Sequence, residues 1–127
     1  VFVWIMPRKK ADPISRRAIT LRLTLSERVA LGPGKAELLA LIRETGSIAA
    51  AGRQMGMSYQ RAHDLVSALN ADFRAPLVET MAGGARGGGA RLSDLGAQVL
   101  AAYREVECQA EAATAARMGW LKEMLRK

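Results

Sequence analysis

Gln60, Arg61 and Asp64 fall within five consecutive residues, and their side chains are those that hydrogen-bond to the edges of DNA bases. An amide such as Gln60 both donates to and accepts from an adenine edge. Arg61 can grip guanine or a backbone phosphate, and Asp64 can accept from cytosine N4 or orient Arg61; a good bidentate contact of this kind discriminates by about 1–3 kcal/mol. A second set lies further on. Arg86 and Arg91 are the only charges between Glu79 and Asp94, set among Gly83, Gly84, Gly87, Gly88 and Gly89. Glycines let a backbone lie close to a sugar-phosphate chain and direct its N–H groups at phosphates. The plain alternative is a hairpin turn that touches nothing.

Other chemistries find no support. The glycine loop lacks the Lys-Ser/Thr ending of a nucleotide-binding P-loop and precedes a strand rather than a helix. His63 is the single histidine and has no nucleophile near it in sequence, so it reads as a surface or DNA-facing residue and not as a catalyst. One histidine and one cysteine cannot complete the usual four ligands of a structural zinc, and the methionines are scattered. Cys108 reads as a small helix-packing residue, with an intermolecular disulfide under oxidation as the sharper alternative. No enzyme, no metal and no cofactor are expected.

Composition agrees. The 127 residues are half apolar and carry 19 Lys and Arg against 12 Asp and Glu, a net charge of +7. One globular domain with a polyanionic partner is implied, nucleic acid ahead of a membrane surface. The charge is uneven: residues 1–35 hold eight basic groups against two acids, 82–92 hold two against none, and 93–127 balance at five and five. The opening apolar run, Val1 to Met6, is too short for a membrane span or a signal core, and with the lone cysteine this points to the cytoplasm. Residues 1–18 read as a flexible basic arm, the alternative being a merely solvated tail.

The elements that would position these residues follow from periodicity. Ile19, Leu21, Leu23 and Leu25 alternate with Thr20, Arg22, Thr24 and Ser26, predicting a strand. Lys35 to Thr45 carry Leu38, Leu39, Leu41 and Ile42 at helical spacing and stop at Gly46. Ser47 caps a second, short helix through Ile48, Ala51 and Met55, ending at Gly56. Ser58 caps a third, with Ala62, Leu65, Val66, Leu69 and Phe73 inward and Gln60, Asp64 and Ser67 on the opposite, nearly uncharged face. Pro76 breaks that helix; "LVETM" and the return through Arg91 and Leu92 make a hairpin. Ser93 and Asp94 then open a long helix that Gly119 is expected to interrupt, leaving "WLKEMLRK" as a short amphipathic end.

Two helices joined by a turn near Gly56 to Ser58 form a helix-turn-helix, which presents the second helix to the major groove, although three-helix scaffolds share the spacing. A hairpin directly after the pair makes it a winged helix. The fold expected is therefore mainly α with a small β-hairpin wing: a winged helix-turn-helix over 19–92 and a long C-terminal dimerisation helix over 93–127. Leu95, Val99, Ala102, Val106, Ala110 and Ala113 make the seam of that helix, with Trp120 and Leu121 packing on the partner. Alternatively, part of the stripe, Leu100 and Tyr103 included, covers the three-helix core. A homodimer would set two recognition helices in successive major grooves and require an inverted-repeat operator.

The stretches "GSIAAAGRQMGMSY", "LNADFRAPLVET" and "GGARGGGARLSDLG" resemble the N-terminal DNA-binding domain of the ModE family, molybdate-responsive regulators with a LysR-like winged helix-turn-helix. The resemblance covers about residues 19–107. It implies that Ser58, Tyr59, Gln60, Arg61, His63 and Asp64 begin the recognition helix, that Gly83 to Arg91 form the wing, and that the regulon is bacterial and molybdenum-related. His63 stands where the family usually has tryptophan, Gly52 where it has alanine and Ser93 where it has threonine. Some twenty residues follow Glu107, so the chain resembles a short form lacking the molybdate-binding modules, and sensing would need a separate partner. The expected function is that of a sequence-specific regulator binding double-stranded DNA. The alternatives are a winged-helix protein-interaction module or a nonspecific architectural DNA binder.

Overall fold

The computed structural model describes residues 18–82 and 89–127. The basic arm up to residue 17 and the wing residues Gly83, Gly84, Arg86, Gly87 and Gly88 lie outside them. The chain order is β1 (Leu23–Thr24), β2 (Ala30–Leu31), α1 (Pro33–Thr45), α2 (Ile48–Gln54), α3 (Tyr59–Asp72), β3 (Val78–Met81), β4 (Gly89–Leu92) and α4 (Asp94–Glu123). The fold is mainly helical, with two small antiparallel hairpins, β1–β2 and β3–β4.

The first hairpin is shorter than the alternation of residues 19–25 predicts. Ile19, Leu21 and Leu23 do turn partly inward, but the ladder consists of Leu23 opposite Leu31 and Thr24 opposite Ala30. The partner strand ends where Gly32 and Pro33 start α1, so no further rungs form. Leu25 is 51% exposed because the chain turns there: its N–H donates to the Val29 carbonyl at 2.8 Å, and the Ser26 hydroxyl accepts from the Arg28 and Val29 N–H groups.

Proline at the first position, where its missing N–H costs nothing, lets α1 begin two residues before Lys35. Leu38, Leu39, Leu41 and Ile42 are buried on α1, and Gly46 closes it in the left-handed region at φ 74°, returning its N–H to the Ile42 carbonyl. Serines cap the next three helices as their positions predict. Ser47 accepts from Ala50 N–H, Ser58 from Arg61 N–H and Ser93 from Gly96 N–H. Ala51, Ala62, Val66 and Leu69 join α1 in one core that Leu77, Val78 and Ala90 of the second hairpin complete.

Two helix ends differ from the sequence reading. Helix α3 stops at Asp72, with Phe73 already extended, rather than running on to Pro76. Phe73 itself takes φ −107° and ψ 168°, extended backbone that ends the helix three residues before Pro76, and its side chain packs partly on the core. Gly119 does not interrupt α4, which runs unbroken over 30 residues to Glu123, so Trp120 and Leu121 belong to the same helix as Leu95. An interior glycine costs about 1 kcal/mol relative to alanine, too little to break a helix of that length.

Candidate nucleic-acid interface

Helices α2 and α3 are joined by residues 55–58, where Gly56 adopts φ 75° and the Met57 N–H donates to the Gly52 carbonyl at 2.9 Å. The chain can therefore reverse within four residues and set α3 across α2. The two pack closely: a methyl group at Gly52 would stand 3.0 Å from the Ala62 methyl. With Ala62, Val66 and Leu69 turned inward, Tyr59, Gln60, Arg61, His63, Asp64 and Ser67 are all exposed.

The exposed groups are organised along the helix. Gln60 Nε2 donates to Asp64 Oδ1 at 2.9 Å, so Asp64 is engaged with glutamine rather than orienting Arg61. Residues i and i+4 stand above one another on one face, which favours a Gln–Asp pair. Tyr59 and His63 sit one turn apart with ring centroids 5.6 Å from each other. Asp64 accepts this bond through one carboxylate oxygen, which leaves its second oxygen and the Gln60 amide oxygen as further acceptors. Apart from the Asp64 carboxylate, the face presents uncharged donors and acceptors, flanked by Arg61.

The second hairpin is held to α3 by Asn70, a residue the periodicity gave no reason to single out. Its Oδ1 accepts from Leu77 N–H at 2.8 Å and Val78 N–H at 3.0 Å, and its Nδ2 donates to the Val78 carbonyl at 3.1 Å. Only the rigid return of the chain brings an α3 side chain to these groups, seven and eight residues on. From the other side, Ala90 N–H donates to the Gly46 carbonyl at 2.9 Å, tying β4 to the α1–α2 turn. Ser93 closes the base, its hydroxyl donating to the Pro76 carbonyl at 2.7 Å and its N–H to that of Leu77. Hairpin base and α3 thus form one body. Within it Gly89 lies against Gly46, and Arg91 is exposed at the strand opposite Glu79, with which it pairs at 3.2 Å.

Helix α4 packs on α1 and β4 through Gly96, Leu100, Tyr103 and Glu107, and the Tyr103 hydroxyl donates to the Leu21 carbonyl at 2.6 Å. Arg104 bridges two buried acids, Glu37 of α1 at 3.6 Å and Glu107 at 3.1 Å. Of the seam residues, Leu95 and Val99 are half-buried against the core and Ala110 is half-buried, while Ala102, Val106, Ala113, Trp120 and Leu121 are exposed. Cys108 is exposed as well. Among the described residues no three His, Cys, Asp or Glu side chains are grouped to hold a metal ion, and no helix is long and apolar enough to cross a membrane.

No family model matches the chain. It is 46% identical over 77 residues to the molybdenum-pterin-binding protein MopB of Rhodobacter capsulatus, an overlap covering 61% of this chain and 28% of that protein. It is 37% identical over 84 residues to the molybdenum transport protein ModE of Azotobacter vinelandii, covering 66% of this chain and 31% of that one. The DNA-binding transcriptional dual regulator ModE of Escherichia coli K12 is 34% identical over 85 residues, covering 67% and 32%. The chain thus spans about a third of the length of the curated relatives it matches.

Proposed function

We propose that this chain is a DNA-binding part of a ModE-type bacterial transcriptional regulator, a winged helix-turn-helix acting as a homodimer on double-stranded DNA. The observation that carries this reading is the joining of the β3–β4 hairpin to α3 through Asn70 and to the α1–α2 turn through Gly46, which fixes a polar helix face and an arginine-bearing strand in one orientation. A reader of the major groove needs that, because base contacts discriminate only when the helix enters at one register. The similarity to proteins named as ModE regulators supports the same reading. Membership of the ModE family, the LysR-like character of the wing and a link to molybdenum-related genes rest on that similarity.

In this reading Ser58, Tyr59, Gln60, His63 and Asp64 face the groove, and the wing, Gly83 to Arg91, lies along the flanking backbone. Residues 19–92 form the DNA-binding unit and 93–127 the dimerisation helix. The exposed Ala102, Val106, Ala113, Trp120 and Leu121 meet a second copy, as do the outer edges of Leu95, Val99 and Ala110. Bringing two such units together sets the recognition helices about 34 Å apart, one turn of B-DNA. The role is regulatory and not catalytic.

The experiment is selection of duplexes from a random pool by the purified chain at about physiological salt, where nonspecific binding is already weak. Enrichment of an inverted repeat with half-sites about one turn apart is the expected result. A pool left unenriched would overturn the reading in favour of a protein-interaction module, which the nearly uncharged outer face of α3 would also suit.

A further inference from the structure

Arg61 leaves α3 on a different line from the other exposed polar residues. Gln60, Asp64 and Ser67 follow one another at i, i+4 and i+7 on the outermost face, whereas Arg61 is stacked over half-buried Leu65 at i+4. That flank borders a cleft of about 350 Å³ between the first hairpin, the start of α1 and the α2–α3 turn. Arg22, Lys35 and Arg61 line it together with Met55, Met57 and Leu65, and no carboxylate is among its lining residues. The Lys35 ammonium is held there by donating to the Ala30 carbonyl at 3.0 Å. Among the described residues neither the Arg22 nor the Arg61 guanidinium has a hydrogen-bond or ion-pair partner. Three cations around one opening repel each other until an anion enters, and two of them are guanidinium forks suited to the oxygens of a phosphate.

We infer that this cleft seats a backbone phosphate of the DNA strand bordering the groove that α3 enters. Arg61 and Arg22 grip its oxygens, Lys35 supplies a third charge, and the two methionines and Leu65 lie against the deoxyribose. Arg61 then positions the helix and does not read a base, which resolves the choice between guanine and phosphate that its residue type leaves open. The inference rests on the DNA-binding reading above. A free oxyanion would meet the same chemistry, so the test separates the two sources.

The full chain is compared with Arg22→Gln, Arg61→Gln and, as a control of equal charge on the distal half of α4, Arg117→Gln, on selected and scrambled duplexes across a salt series. Arg22→Gln and Arg61→Gln are each expected to weaken both duplexes about tenfold, to leave every base preference intact and to lower the salt slope by about one. Arg117→Gln should change affinity less than twofold. A scan of single uncharged methylphosphonates along the duplex, which needs no variant to fold, should reveal one phosphate whose loss costs the wild type about tenfold and costs Arg61→Gln nothing more. Relaxed preference at one base pair in Arg61→Gln, with the Arg22→Gln slope unchanged, overturns the seat and puts Arg61 on a guanine. Should the wild type bind no duplex, the regulator reading fails, and inorganic phosphate titrated into ¹⁵N-labelled protein decides the cleft separately. Shifts at the Gly34, Lys35 and Arg61 amides that vanish in Arg22→Gln keep it as an oxyanion seat, and their absence removes it.

Discussion

Replacing Gly96 by alanine sets two opposing effects against each other at a point where α4 meets the hairpin. In a helix alanine is favoured over glycine by up to about 1 kcal/mol. Here, however, the added methyl would overlap the Leu77 carbonyl oxygen and stand 3.0 and 3.2 Å from the Leu77 carbonyl carbon and Cα. Leu77 cannot retreat cheaply. Its side chain is fully buried, its N–H is bonded to Asn70 and its carbonyl accepts from Ser93 N–H at 2.9 Å. Overpacking a core commonly costs about 1–3 kcal/mol, and a backbone obstacle held from both sides belongs at or above the upper end. The net expectation is destabilisation by about 2 kcal/mol, lowering the melting temperature by about 8 °C for a domain of this size. Urea unfolding followed by circular dichroism should show a lower midpoint with an unchanged slope. Gly119→Ala is the matched control in the same helix, since nothing lies within 4 Å of its added methyl, and its midpoint should hold or rise. A Gly96→Ala midpoint at or above the wild type would refute the close approach and the anchoring role assigned to Leu77.

Asn70→Ala strips three backbone groups of their partner and should cost about 2–4 kcal/mol, with hydrogen exchange at the Leu77 and Val78 amides accelerated; Asn70→Asp, which keeps both accepting bonds, should lose less. Ser93→Ala should cost up to about 2 kcal/mol, since it removes a cap and the bond to Pro76, against about 1 for Ser58→Ala, measured by the same unfolding assay. Arg104→Leu leaves the buried Glu37 and Glu107 carboxylates without their shared cation and should destabilise by about 3 kcal/mol; a neutral outcome would show that other partners suffice. Glu79→Gln breaks a pair whose side chains are 49% and 67% exposed, so stability should move by less than about 0.5 kcal/mol. The same change releases Arg91 and should raise DNA affinity a few-fold in fluorescence anisotropy at fixed salt, whereas weaker binding would mean that Glu79 positions the arginine.

Local signals in this chain are strong where one residue answers one backbone need. Gly46 ends α1, and Ser47, Ser58 and Ser93 start the three helices that follow, because a cap involves only atoms a few residues away. The inward stripe of α3 and its polar outer face were equally legible, since helical period alone sorts them. Where the outcome depended on a distant partner, the same reasoning failed. The alternation of residues 19–25 could not reveal that its partner strand has only two residues before α1 begins. A glycine's bare propensity suggested a break at Gly119 that a 30-residue helix absorbs.

The candidate site divides along the same line. That Gln60, Arg61 and Asp64 share one exposed helix start, and that arginine and glycine follow in a hairpin, was written in spacing, which local geometry converts directly into position. That Asn70 fastens the hairpin to α3 and Gly46 fastens it to the α1–α2 turn, and that Arg22, Lys35 and Arg61 border one cleft, was decided only when separate elements packed together. Periodicity reports which way a side chain faces relative to its own helix or strand. Which other element stands there to meet it is set by the buried core, and no local pattern carries that information.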